Sequence, residues 1–313
     1  MYATRDPASF ISTVPLAPDA FDSLLVLFSG EYEQPSRRGK GGRPPRVFHA
    51  HAVLALVLHF YTAAVDQKTL QKLFALTPST CARTLRKVEE ALARALAACP
   101  DAAIKWPSKT TQASWAAMSN SREPLVHGVF SFVDGKNLRV QNHRQPICRM
   151  QCTVQRVFVT GVLCFGLDGT LVWGRHNCPG SWNDGEISRR LQEILADPAK
   201  ADFGMKVASD SAFPVSVRCA DRIVTPLKKG DLERHPPACR LGLKVMSDCI
   251  TSLRQAAEWG MGAVSKEYRQ LLLPLPLPYN PSLRAMQLES MFKLYNFRVR
   301  RTGKRQIKNV FGL

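Results

Sequence analysis

Three carboxylates in this chain stand where a protein could make them work together. Asp134 follows the apolar run Phe130, Ser131, Phe132, Val133, and Asp210 follows Lys206, Val207, Ala208, Ser209. Side chains at strand ends can converge at one edge of a sheet, held rigidly by the strands behind them. The third acid, Glu258, lies inside a long helical stretch, with Arg254 and Gly262 one turn away on its face. Its neighbours Trp259, Gly260 and Gly262 are not residues that helix propensity favours; glycines there let the helix approach another backbone or a substrate closely. Three carboxylates brought together repel one another, so they need a cation or raised pKa values. Oxygen-only donors suit Mg2+ or Mn2+, and two such ions roughly 4 Å apart can activate water and stabilise the leaving oxygen in phosphodiester cleavage. Each acid by itself also has an ordinary reading. An Asp before Gly or Ser after a strand is a common turn former, and a helical Glu is usually solvated. Periodicity alone does not select the trio.

The elements that would position these residues follow from the pattern of apolar positions. Residues 127–133 are a strand leading to Asp134-Gly135, and residues 156–165 are a second. Leu167-Asp168-Gly169 is a hairpin turn signal, and 170–173 returns as a third strand. Residues 184–196 are helical, with Ile187, Leu191, Ile194 and Leu195 on one face. Short strands follow at 205–209 and 222–225. A long helix over about 243–272 buries Ile250, Leu253, Ala257, Val264 and Leu271, and the Pro-rich stretch after it ends it. A last helix over 281–295 leads into a basic tail. Strands followed by packed helices indicate an α/β domain.

Upstream, residues 48–98 read as three helices. The first is apolar nearly all round; it is broken by His59 and Thr62 and too short to span a bilayer, so a buried helix is the better reading. The third starts at Thr77-Pro78 and carries a stripe of Cys81, Leu85, Val88, Leu92 and Leu96, with Arg83, Arg86, Lys87 and Arg94 off the stripe. That is a helix-turn-helix pattern with a basic face for DNA; a plain bundle with a solvated face is the competing reading. Residues 1–47 are expected to be a flexible basic lead-in. Within them Gly-Arg-Pro around Arg43 resembles an AT-hook, and a flexible linker explains it equally well. Residues 106–124, polar and irregular, are read as the domain boundary.

The formal net charge is +18, which suggests a polyanionic partner, because neutralising phosphates releases condensed counterions. The excess is clustered: residues 161–270 hold 15 basic and 13 acidic side chains, whereas 271–313 hold eight basic residues and one acid, Glu289. The basic C-terminal group includes Arg298, Arg300, Arg301, Lys304 and Arg305. The nine cysteines include no Cys-x-x-Cys pair, which argues against structural zinc; the odd count and the lack of a signal peptide favour a reduced, intracellular setting.

Four stretches resemble, in order, the motifs of Harbinger-type DDE transposases. Val133-Asp134-Gly135 is similar to the family's first-strand motif, and Cys178-Pro179-Gly180-Ser181-Trp182-Asn183-Asp184 to the motif after its hairpin. Ser209-Asp210-Ser211-Ala212-Phe213-Pro214 is similar to the second aspartate motif, and Arg254-Gln255-Ala256-Ala257-Glu258-Trp259-Gly260-Met261 to the helical motif that carries the glutamate. The resemblance covers about residues 48–300. It implies an α/β, ribonuclease-H-like catalytic domain over 125–300, preceded by a small all-α helix-turn-helix domain over 48–110 and followed by a basic tail over 301–313. It implies a two-metal DNA endonuclease using Mg2+ or Mn2+, with Asp134, Asp210 and Glu258 as catalytic metal ligands and Asp184 as an additional acid. The implied partners are double-stranded DNA, a separate Myb-like protein at the DNA ends and a second copy of the chain in a homo-oligomer, in the nucleus and with no membrane. DNA contacts fall to Arg83, Arg86, Lys87, Arg43, Arg298, Arg300, Arg301, Lys304 and Arg305. One stretch departs: residues 141–156 lack the aromatic residues that the family carries there and show no alternation. They are expected to form a mobile loop beside Asp134, either diverged so that catalysis is weakened or gripping the DNA strand. The competing functions are a DNA-binding transposase remnant without catalysis and a metal-dependent phosphoesterase acting on something other than DNA, the last disfavoured by the helix-turn-helix pattern and basic tail.

Overall fold

Apolar stripes, caps and prolines divide the chain into alternating helices and strands. The computed structural model describes residues 3–32, 47, 49–140, 157–211, 213, 219, 221–275, 281–302 and 306–311. In chain order the elements are α1 (Pro7–Thr13), α2 (Pro18–Glu31), α3 (Ala50–Thr62), α4 (Gln67–Leu73), α5 (Pro78–Ala98), α6 (Lys109–Arg122), β1 (Val129–Val140), β2 (Val157–Gly166), β3 (Leu171–Pro179), α7 (Asp184–Ala196), β4 (Lys206–Ala208), β5 (Ile223–Val224), α8 (Pro237–Glu267), α9 (Pro281–Thr302) and α10 (Gln306–Val310). They form two compact units. The first comprises Met1–Ala103, Leu138–Val157 and Val264–Gly303, and the second Ile104–Asn137, Phe158–Ala263 and Lys304–Leu313.

The first unit is helical. The stripe Cys81, Leu85, Val88, Leu92, Leu96 of α5 is buried as expected, and α5 packs against α2, α3, α4 and α9. Residues 3–32, expected within a flexible lead-in, instead carry α1 and α2. Asp6 caps α1 by accepting from the Ser9 amide at 2.8 Å, and Phe10, Phe21, Leu24 and Phe28 are fully or almost fully buried. Each helix starts with Pro at its first turn, where the missing N–H costs nothing. A buried polar cluster crosses this unit. The Tyr61 hydroxyl of α3 and the Gln287 amide of α9 both donate to Glu89 Oε1 on α5, at 3.1 and 2.8 Å. Burial pushes the Glu89 carboxyl up to about 7 against those two hydrogen bonds, with a small push from the Glu90 charge. No single described helix is long and apolar enough to cross a membrane.

The second unit is built on a five-stranded mixed sheet in the order β3-β2-β1-β4-β5, with β1, β4 and β5 parallel and β2 antiparallel to β3. The architecture is mixed α/β. Residues 129–133 of β1 are buried on both faces, the mark of a strand covered on two sides. The hairpin at Asp168-Gly169 forms as expected: Gly169 takes φ +81°, and Asp168 accepts from the Thr170 amide at 2.9 Å. Residues 106–124 are not irregular, although the two units divide just before them, between Ala103 and Ile104. They contain α6, capped by Ser108, whose buried face is Gln112, Trp115, Ala116 and Ser119. The long helix starts earlier than expected, at Pro237, and ends at Glu267, with a separate 3-10 turn over Arg269–Leu272. Within 301–313, Phe311 packs on the Phe132 ring at 5.5 Å between centroids and Ile307 is buried, so this stretch is not merely a solvated tail. Residues 141–156 lie outside the described residues.

Candidate active site

The pairing of β1 with β4 brings the first two acids into one neighbourhood. Val129 stands opposite Lys206 and Phe132 opposite Ala208 in the parallel β1–β4 pair. Two residues beyond that last pair come Asp134 and Asp210. β4 ends at Ala208, so no ladder pair joins the two acids, but Asp210 lies close enough for its charge to act on the Asp134 carboxyl. Ser209 fixes the end of β4, donating its amide to the Val224 carbonyl at 3.0 Å and its hydroxyl to the Val133 carbonyl at 3.2 Å. Asp134 is not past the end of its strand, as the sequence suggests; β1 runs on through it to Val140.

Asp134 is half-buried and accepts from the Gly135 amide at 2.8 Å. Burial raises its carboxyl above the ordinary range, the Gly135 bond opposes this, and the charges of Asp210 and Glu258 add to the rise while Arg254 lowers it. All four of these acidic and basic partners therefore share one electrostatic neighbourhood, inside the second unit. Asp184 joins it from the first turn of α7, which Asn183 caps by accepting from the Glu186 amide at 2.9 Å. Burial raises the Asp184 carboxyl, and Asp210 raises it further. Its carboxylate lies over Gly135: a Cβ there would sit 3.0 and 3.1 Å from the two Asp184 oxygens. Gly135 is thus the floor on which Asp184 rests.

Glu258 comes from α8. The helix meets the sheet at Gly260, where a Cβ would fall 2.7 Å from the Phe165 ring, so the close approach read from the sequence is made onto a side chain of β2. Gly262, by contrast, faces nothing within 4 Å. Glu258 Oε1 is held by Arg254 Nη1 at 2.9 Å, one turn back on the same helix. Arg254 Nε is buried with no hydrogen-bond partner, a deficit that costs about 1–3 kcal/mol. No protein-family model, curated protein or solved structure matches this chain.

What the site can do follows from its charge. Among the described residues, Asp134, Asp184, Asp210 and Glu258 share this neighbourhood with Arg254, and carboxylates so placed repel one another. The donors, all oxygen and all anionic, suit a hard divalent ion. Among the described residues, however, no group of three or more His, Cys, Asp or Glu side chains stands ready to hold one metal ion. The Asp210 charge acts on Asp134, whereas Glu258 is held by Arg254. Arg254 was not assigned a role from sequence, although its spacing of four residues from Glu258 is the signal that pairs helical side chains.

The residues expected to meet DNA divide into two groups. Arg83, Arg86 and Lys87 are exposed on α5. Arg86 pairs with Glu90 at 3.2 Å, Arg83 Nε donates to the Ser79 carbonyl at 3.3 Å, and Lys87 borders a cleft with Tyr32 and Arg94. The α4–α5 turn is tight, with Ala75 at φ +51°. The α9 arginines are instead engaged within their own unit. Arg298 pairs with Glu267; Arg300 donates to the carbonyls of Asp101 and Ala103 at 2.7 and 2.9 Å; and Arg301 pairs with the Asp101 carboxylate at 2.7 Å. These three clamp local structure, which removes them as free phosphate contacts. Arg43, Lys304 and Arg305 lie outside the described residues.

Proposed function

We propose that this chain is a metal-dependent DNA endonuclease of transposase origin, of the DDE kind and similar to Harbinger transposases. The observation that supports the reading is that the charges of Asp210, just past β4, and of Glu258, on the helix after β5, both act on the Asp134 carboxyl. The strand order β3-β2-β1-β4-β5 is consistent with a ribonuclease-H-like catalytic unit, and the helix-turn-helix arrangement of α3, α4 and α5 is consistent with a DNA-binding region. Asp134 and Asp210 would hold the divalent ions, with Glu258 completing the set and Asp184 as an additional ligand. Bound there, two Mg2+ or Mn2+ ions supply an activated water and stabilise the leaving oxygen. The chain's own part is to position the carboxylates. β1 carries Asp134, Asp210 follows β4, Gly135 leaves room for Asp184, and the basic face of α5 contributes phosphate contacts. A Myb-like partner, self-association and a nuclear location belong to the same proposal.

The test is a strand-cleavage assay with Mg2+ or Mn2+ on DNA carrying candidate terminal repeats. Asp134→Asn, Asp210→Asn and Glu258→Gln should each lower cleavage by about 100-fold or more, because each deletes a metal ligand, while DNA affinity stays within about twofold because the basic surfaces are intact. A second reading is a DNA-binding remnant without catalysis. The engagement of Glu258 by Arg254 favours it, and wild-type protein that binds DNA but never cuts would establish it.

A further inference from the structure

We propose that Trp182 and Arg175 form a stacking platform for an unpaired DNA base, so that the second unit binds single-stranded DNA on the turn that leads to Asp184. The inference rests on the endonuclease reading above and adds to it the form of DNA that this unit grips. Trp182 is 37% exposed, on the turn between β3 and α7 where Pro179, Gly180, Ser181 and Asn183 are exposed too. The Arg175 guanidinium lies over its ring, 5.2 Å from the centroid, and Arg175 Nη1 donates to the Glu186 carbonyl of α7 at 3.5 Å. The Trp182 amide closes the turn by donating to the Pro179 carbonyl at 3.0 Å. The turn lies so close on β2 that a Cβ at Gly180 would come 2.5 Å from the Phe158 carbonyl oxygen. The ring is therefore presented from a fixed backbone.

Stability alone does not account for this construction. Thr160 pairs with Cys178 but Val162 with Arg175, so His176 and Asn177 together oppose Gly161 in a bulge. Asn177 takes φ +61°, a left-handed conformation that is costly for a residue with a side chain. A Cβ at Gly161 would fall 2.8 Å from the Arg175 carbonyl oxygen. A bulge disrupts the ladder and re-aims the side chains beside it, and the residue beside this one is Arg175. The cation–π pair that results is partly exposed, where such pairs contribute little to stability. Aromatic rings and guanidinium planes are the groups on which unpaired bases stack, whereas bases inside a duplex are covered by their neighbours. Asp184 fixes the location. Its carboxylate oxygens would lie 3.0 and 3.1 Å from a Cβ on Gly135, the residue after Asp134, and Trp182 is only two residues before it, about 7 Å of chain at most.

The full chain in EDTA tests this with no divalent ion present. Fluorescence anisotropy gives affinities for a labelled oligo(dT) strand of about 20 nucleotides and for a duplex of the same length. Trp182→Leu keeps apolar bulk and removes the aromatic face. It should weaken the single strand by about fivefold or more, the low end for one stacked base, and the duplex by less than about twofold, because phosphate contacts are untouched. Trp182→Phe restores a ring and should keep single-strand affinity within about threefold of wild type. Unchanged single-strand affinity in Trp182→Leu, or an equal loss on both forms of DNA, overturns the platform. So does oligo(U) bound about tenfold tighter than oligo(dT), which would make the site one for RNA. Should Trp182→Leu fail to fold, ultraviolet cross-linking of the wild-type chain to a bromouracil-containing strand reads the same contact: a cross-link at Trp182 supports the platform, and cross-links only elsewhere overturn it. If the duplex is bound while the platform fails, the endonuclease reading stands. If neither form of DNA is bound, that reading falls as well.

Discussion

Replacing Glu89 by Gln should make the helical unit more stable at neutral and alkaline pH and flatten its pH dependence. In the folded chain Glu89 is almost fully buried and its carboxyl is raised from 4.5 to about 7. Between those two values the unfolded chain gives up the proton while the folded chain keeps it, so stability falls as pH rises through this window. Above about 7 both states are ionised and the penalty is constant. A shift of about 2.5 units corresponds to about 3 kcal/mol. Gln has no proton to lose and its carbonyl oxygen can still accept from Tyr61 and Gln287, so the variant escapes the penalty. It should match wild type near pH 4.5 and exceed it by up to about 3 kcal/mol at pH 8, less about 1 kcal/mol if its added N–H finds no acceptor. Urea unfolding followed by far-ultraviolet circular dichroism at pH 5, 6, 7 and 8 reads this directly. With an m-value of about 3 kcal/mol/M, the midpoint difference should grow to about 0.7–1 M. Parallel pH profiles for the two proteins would show that Glu89 ionises normally in the folded state and would refute the reasoning.

Gly260→Ala and Gly262→Ala should move stability in opposite directions in thermal melts. Both gain up to about 1 kcal/mol of helix propensity, but the first drives a methyl into the Phe165 ring and costs about 1–3 kcal/mol, whereas the second meets open space; equal shifts would mean that α8 does not rest on β2 through Gly260. Replacing Arg83, Arg86 and Lys87 together by Ala should reduce the slope of log affinity for DNA against log salt by about 2–3, and an unchanged slope would leave that face merely solvated. Gly135→Ala should lower Mn2+ affinity with little change in DNA binding, since its methyl meets the Asp184 carboxylate; unchanged affinity would remove Asp184 from the ligand set.

How far the sequence could be read depended on where each signal was stored. α7 is legible over Asp184–Ala196 because Ile187, Leu191 and Leu195 repeat at helical spacing. α6 is not, because its buried face is made of Gln112, Trp115, Ala116 and Ser119, which carry no apolar period. The strand β1 reads only to Val133, because Asp134-Gly135 is a turn signal, although Asn137, Leu138, Arg139 and Val140 alternate exposed and buried beyond it. Asp210 was legible as a residue that follows a strand; that Asp134 lies within its strand, and that the two come close, was not, since it depends on the pairing of β1 with β4 across more than seventy residues. The same holds for Arg300 and Arg301. Sequence shows a cluster of positive charge, and only the fold brings Asp101 to it.

The strand that carries the candidate site to Asp210 is short. β4 spans Lys206–Ala208, and β5 beyond it is only Ile223–Val224. Besides the ladders of β4 with β1 and β5, Lys206 donates to Gly128, Val207 to Arg222 and Ser209 to Val224. The only strand outside β4 in the sheet is the two-residue β5, and so short an edge opens locally at lower free energy than the whole unit unfolds. The spacing between Asp134 and Asp210 is then a population-weighted quantity, set by how often this margin of the sheet frays. Amide exchange at Val207 and Ser209 would follow the fraying, and the working fraction of the site would track that exchange rather than the melting temperature of the protein.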